Sequence, residues 1–189
     1  MHAMKTFKSK LIAGTFAAFA LAAMPALAQT VVVGGKPMFP TKTIVENAVN
    51  SADHTTLVAA VKAAGLVETL QSKGPFTVFA PVNPAFSALP AGTVESLLKP
   101  ENKSTLTKVL TYHVVAGRIT FNDLKKMLKD GKGQAKLKTV AGGWLTIRAN
   151  GPANIIIGDE KGGWANINVY DVLQSNGVIH SIDKVLLPS

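Results

Sequence analysis

The chain has 189 residues, 47% of them hydrophobic, with no cysteine and a formal net charge of +9. Without cysteine, disulfide staples, thiol catalysis and thiolate metal sites are excluded. The positive balance favours anionic contacts and says nothing about fold.

The chain opens with Lys5, Lys8 and Lys10, then an apolar, alanine-rich run over 11–27, then the small-x-small site Ala26-Leu27-Ala28. That layout predicts a cleaved secretory signal peptide over residues 1–28. An uncleaved anchor is the alternative, but the run is shorter than a comfortable span. Export to the periplasm, the cell surface or the medium is expected. What remains is roughly 160 residues, a single-domain length that can bury about 70% of its unfolded surface without staples. Residues 29–40 contain Gly34, Gly35, Pro37 and Pro40, a density that predicts an extended arm. Val31 to Val33 could also add an edge strand.

Residues 43–70 read as helical. Ile44, Val45, Ala48 and Val49 form one stripe. Asp53 offers an N-cap for a second helix whose apolar face is Leu57, Val58, Val61 and Ala64, with Gly65 as its stop. A short turn over 66–70 follows. Residues 76–80 are an aromatic and β-branched strand that Pro81 should end. Asn83 is a cap candidate for a short helix carrying Phe86. Residues 93–98 form another short helix, stopped by Pro100. Ser104 is read as the cap of a helix with Leu106, Val109 and Leu110 inward. Asn122 or Asp123 opens one more, containing Leu124, Met127 and Leu128, with Gly131 after it.

From Lys136 onward the period changes to two. Leu137 and Val140, then Leu145 and Ile147, alternate with polar residues, and 154–158, 165–169 and 178–187 are strand-like. Gly142-Gly143, Asn150-Gly151-Pro152, Gly162-Gly163 and Asn176-Gly177 punctuate them as turns. Helices first and a meander of strands after give an α+β pattern with no internal repeat.

Two segments stand out: Gly74-Pro75-Phe76-Thr77-Val78-Phe79-Ala80-Pro81-Val82-Asn83-Pro84-Ala85-Phe86, and Asn176-Gly177-Val178-Ile179-His180-Ser181-Ile182-Asp183 running on to Pro188. Tyr112-His113-Val114-Val115 lies between them. In order and spacing these resemble the signature segments and the Tyr-His pair of fasciclin domains, a family of secreted adhesion and interaction modules. The resemblance covers residues 41–188. It implies a β-wedge or sandwich of about seven strands with several helices along one edge. It departs at Val82, where the family usually has Thr or Ser. The motif residues Phe76, Thr77, Phe79, Ala80, Pro81, Asn83, Phe86, Asn176, Gly177, His180 and Asp183 are expected to be structural.

For partner contact, the resemblance carries a receptor-facing role to Tyr112 and His113, and an adhesive-loop role to Asp171 and Val172, where animal members have an Asp-Ile pair. The bland alternatives are a core Tyr112, histidines that tie backbone together, and an Asp171 that accepts from turn amides. The lysines between Lys125 and Lys138 form either a contact for anionic partners or a solvated face. Trp144 and Trp164 each follow a Gly-Gly pair and read as edge anchors or a stacking surface.

No enzyme is expected. Gly-x-Ser-x-Gly is absent, and the adjacent His180 and Ser181 point to opposite faces of a strand. His54, His113 and His180 lack metal-ligand spacing, and no glycine-rich phosphate loop is present. Asp159-Glu160 reads as solvent-facing, and Asn102-Lys103-Ser104 matches a glycosylation sequon. The sequence therefore predicts an exported, non-catalytic module without cofactor or metal. Its expected partner is a surface or matrix component, protein or glycan, and neither nucleic acid nor an integral span is expected. A second reading is a soluble carrier of an apolar pigment or lipid, motivated by Trp144 and Trp164. A third, an enzyme, rests only on His113 and His180.

Overall fold

The computed structural model describes residues 30–189, so the leader read from residues 1–28 lies outside the described residues. The first elements are a hairpin, β1 (Val31–Val33) and β2 (Lys36–Met38), paired antiparallel. Gly34 and Gly35 turn it with φ of 59° and 71°, a left-handed backbone that glycine adopts at no steric cost. Pro37 is tolerated because this is an edge strand. Val33 and Met38 are buried in the core. The expected arm is thus a folded hairpin: glycine and proline density marked a turn and an edge, and the alternating apolar residues give it a face to dock.

Helix α1 (Ile44–Ala48) starts at a capping box, with Thr43 and Glu46 each bonded to the other's backbone N–H. Ile44 is buried, but Val49 falls beyond the helix and is exposed. Helix α2 (Thr55–Ala64) buries Leu57, Ala60, Val61 and Ala64 and ends at Gly65. Asp53 does not cap it, because it sits inside a 3-10 turn over Ala52–His54. Next come α3 (Val67–Gln71), α4 (Asn83–Ser87), α5 (Thr93–Leu98), α6 (Lys103–Tyr112) and α7 (Phe121–Asp130). Ser104 lies inside α6, whose cap position is Asn102. The cap of α7 is Thr120, again in a capping box, with Asp123 in its third turn position. Leu124 and Leu128 face inward as expected.

The remaining strands are β3 (Phe76–Pro81), β4 (Val114–Ala116), β5 (Gln134–Lys138), β6 (Trp144–Ala149), β7 (Ile155–Gly158), β8 (Trp164–Gln174) and β9 (Gly177–Ile182). They form one seven-stranded mixed sheet in the order β4-β3-β9-β8-β7-β6-β5. Only β3 and β9 run parallel. A bridge between Val115 and Thr139 brings the two edges together, so the sheet curls almost into a barrel. This is the α+β architecture read from the sequence.

Two apolar cores result. The inner face of the curl holds Phe79, Tyr112, Leu124, Leu145, Ile147, Ile157 and Ile182. The other core lies between the helical layer and β3, β4 and β9, and includes Ile44, Leu57, Leu110, Val78 and Ile179. All six residues of β9 are buried, since this strand has a core on each face. Burying one such Ile or Val contributes about 1.5–3 kcal/mol. Among the described residues, no helix is long and apolar enough to cross a membrane.

Candidate interaction surface

The two motif segments are partners. Strand β3 runs beside β9 in register, with Phe76 opposite Gly177, Phe79 opposite His180 and Pro81 opposite Ile182. A Cβ at Gly177 would collide with the Phe76 carbonyl oxygen, so glycine is required where the strands meet. Asn176 ties this junction to the helical layer. Its side-chain oxygen accepts from Ile44 N at 3.0 Å, and its amide donates to the Leu70 and Ser72 carbonyls at 2.7 and 2.9 Å. Thr77 accepts from Ile119 N and donates to the Gly117 carbonyl. Asp183 holds Asn166 through both its backbone and side-chain N–H groups. Ala80 and Pro81 are buried in the same strand, and Phe86 packs partly buried against the helical core.

Asn83 does not cap its own helix. Its oxygen accepts from Thr56 N and the Thr55 hydroxyl, and its amide donates to the Ala52 carbonyl. It closes the N-terminus of α2 from 27 residues away.

The histidines hold backbone. His113 Nδ1 bonds the Val109 carbonyl at 2.8 Å, and Nε2 accepts from Leu186 N at 2.9 Å. Burial lowers its pKa to about 4, so the ring is neutral. His180 Nε2 bonds the Ile119 carbonyl at 2.9 Å while Nδ1 accepts from Asp171 N, and the ring stacks on Phe79. Burial lowers its pKa as well. Both ring nitrogens of each residue are committed.

Tyr112 is fully buried, and its hydroxyl donates to the Trp144 carbonyl at 2.8 Å and accepts from Glu160 N at 3.1 Å. Burial raises its pKa to about 12. Neither Tyr112 nor His113 offers a side chain to a partner in this fold: the helix end they occupy is covered by β6 and the C-terminal segment. Val172 is buried too. Asp171 is half-buried in a bulge of β8, at φ 53°, and its carboxylate accepts from Phe121 N at 2.7 Å. That places it at the start of α7, where a carboxylate also meets the helix dipole favourably.

The exposed polar feature is the lysine face. Lys125, Lys126 and Lys129 project from α7 opposite the buried Leu124 and Leu128, and Lys136 and Lys138 project from β5 on either side of buried Leu137. Lys132 lies in the turn between, and all six are exposed. Helix α7 packs against β5 through the core that holds Leu124, Leu128 and Leu137, so the lysines of both elements lie outside that core. Trp144 is 46% exposed. Trp164 is half-buried, lies over Gly158 and carries the Arg148 guanidinium 5.1 Å from its ring centroid.

Sequence reasoning missed three tethers. Asp159, read as solvent-facing, accepts from Lys161, Gly163 and Leu187 N–H groups. Glu160 accepts from Trp144 N and from Ser189. Arg118 donates to the Gln174 carbonyl at 2.8 Å. Asp followed by a Gly-Gly pair signals an Asx turn locally, but nothing local signals the bond to Leu187.

The fasciclin domain model matches residues 52–188. The chain is 47% identical over 169 residues to "Protein sll1483" of Synechocystis sp., covering 89% of this chain and 86% of that protein. It is 36% identical over 144 residues to the immunogenic protein MPB70 of Mycobacterium bovis, covering 74% and 65%. It is 31% identical over 136 residues to human periostin, covering 72% of this chain and only 15% of periostin. Its fold is similar to a solved fasciclin domain pair from the insect cell adhesion molecule Fasciclin I, with a TM-score of 0.69 at 20% identity, over 77% of this chain and 51% of that one. The paired motif strands, the nearly closed sheet and these matches agree: the chain belongs to the fasciclin domain family.

Proposed function

We propose that this is an exported, non-catalytic fasciclin-domain protein that attaches to an anionic surface or matrix component through its lysine face. The observation that carries this reading is the exposure of six lysines, Lys125, Lys126, Lys129, Lys132, Lys136 and Lys138, within the single stretch of α7, β5 and the turn between them. Such a field concentrates anionic partners and orients their approach. Acidic polysaccharide, lipopolysaccharide and phospholipid head groups share that chemistry. The family likeness to a cell adhesion molecule supports a surface role. The contact moves away from Tyr112, His113 and Val172, which are buried, while Asp171 anchors the start of the lysine-bearing helix. A non-catalytic role is supported by the two motif histidines, whose ring nitrogens hold backbone groups. The test is attachment of the purified protein to an immobilised acidic polysaccharide across a salt series. Binding that weakens with salt and is lost in K125E/K126E/K129E supports the proposal; salt-insensitive binding that survives the triple variant sinks it.

A further inference from the structure

The helical layer and the sheet do not meet flush. Between α1, α2, α3 and α6 on one side and β3, β4 and β9 on the other lies a cavity of about 80 Å³. One water needs roughly 10–15 Å³ together with two to four polar partners. This space is several times larger, yet its walls are mostly apolar, among them Leu57, Val61, Leu110, Val172 and Ile179. A cavity so lined gains little from water and gains dispersion contacts from an apolar guest. Val33 and Met38 of the hairpin and Ile44 of α1 complete the wall. All three precede residues 52–188, the span of the family match.

The cavity has one polar end. His54 is buried, with Nδ1 2.9 Å from Ser51 Oγ and Nε2 3.3 Å from Ser181 Oγ, and both serines are buried and line the same space. A neutral imidazole donates through one nitrogen and accepts through the other. In either tautomer one serine gives its hydroxyl hydrogen to the ring and the other accepts from it. With the ring hydrogen on Nε2, Ser181 accepts and keeps its own hydroxyl hydrogen, with no second partner among the described residues. Among the described residues the lysine that lines this space, Lys62, stands at the exposed rim, and an unpaired carboxylate beside a neutral ring would be costly to bury.

We propose that this cavity binds a slender, uncharged apolar molecule bearing one acceptor oxygen (a ketone, aldehyde or alcohol), with that oxygen on the Ser181 hydroxyl. This function is separate from the lysine face. It also lies elsewhere than the tryptophans: neither Trp144 nor Trp164 lines the cavity. The space is about half the roughly 150 Å³ that admits benzene, so the guest is limited to about four heavy atoms.

The test uses the purified protein with labelled Ile, Leu and Val methyls, observed by NMR, and two probes, xenon and propanone. Xenon should shift the methyls of Leu57, Val61 and Ile179 and leave those of Leu145, Ile147 and Ile157 in place. Propanone should saturate, displace xenon and bind at least tenfold better than acetate at pH 8. Ser181→Ala should weaken propanone by about 3- to 10-fold, the range for one hydrogen bond, and leave xenon binding unchanged. Val61→Phe should abolish both, and Ala48→Leu serves as a second filling variant if that one does not fold. The site is overturned if neither probe shifts the cavity methyls, or if both cores respond alike. The polar assignment is overturned if S181A binds propanone as tightly as the parent.

Discussion

Asn83 and Thr56 are joined across 27 residues: the Asn83 side-chain oxygen accepts from Thr56 N at 3.1 Å and so caps a helix to which Asn83 does not belong. The same side chain reaches Thr55 and Ala52. One residue of the first motif thus fixes where α2 begins and how it sits on the sheet. Asn83→Ala is expected to cost about 1–2 kcal/mol, as for loss of a helix cap, read as a lower urea midpoint at unchanged m-value. Asn83→Asp keeps the acceptor and loses only the bond to Ala52, so it should lie between the parent and the alanine variant.

Stability should fall with acid before the carboxylates titrate. His113 has a folded pKa of about 4, below its ordinary 6.5, because burial disfavours the charged ring. A lowered folded pKa means the unfolded chain binds the proton more readily. The contribution is therefore complete above pH 6.5 and is lost as pH falls from 6.5 through 4, amounting to about 3 kcal/mol over that window. Burial lowers His180 and His54 in the same direction. Urea unfolding at pH 7.5 and pH 4.5 should show the loss, and His113→Gln should flatten part of it. An unchanged midpoint across that range would contradict the assignment of a buried neutral ring.

Asp171 separates architecture from recognition. Its carboxylate satisfies Phe121 N at the start of α7, and its backbone sits at φ 53°. Asn tolerates that conformation and retains the acceptor oxygen, so Asp171→Asn should stay within about 0.5 kcal/mol of the parent, whereas Asp171→Ala should lose about 1–2 kcal/mol. If Asp171→Asn keeps its stability but loses surface attachment, the charge itself is read by a partner.

Tyr112 should prove structural. Removing its hydroxyl in Tyr112→Phe leaves the Trp144 carbonyl and Glu160 N without their partner, at an expected cost of about 1–3 kcal/mol. Attachment per folded molecule should be unaffected, as measured on the acidic polysaccharide surface at a temperature where both forms are folded.

Much of this fold is local and so legible from the chain. Leu106, Val109 and Leu110 announce α6, Gly65 ends α2, and the period-two residues Leu145 and Ile147 mark a strand. What escaped was set by tertiary contact. Asp53 has the chemistry of a cap, but the turn at residues 52–54 displaced the helix start and a distant asparagine took the role. Residues 31–38 have the composition of an arm, yet Val33 and Met38 find an apolar wall to cover. Tyr112 has the amphipathic character of an interface residue, and only the arrival of residues 144–160 shows that its polar tip is enclosed. The cavity is invisible in the sequence because its lining residues are ordinary core residues until two layers fail to meet.

The pairing of β3 with β9 also has a kinetic meaning. An interior strand of the sheet that touches both cores, β9, follows all the other described strands in the chain, and it aligns with residues about a hundred positions earlier. Before residues 177–182 have emerged, β3 and β8 each keep one edge unpaired, and the two halves of the sheet lack their main junction. Such distant pairing makes for slow, late assembly. A nascent chain of this kind stays threadable for most of its synthesis, and until β9 is made the free edges of β3 and β8 are open to pairing with another molecule.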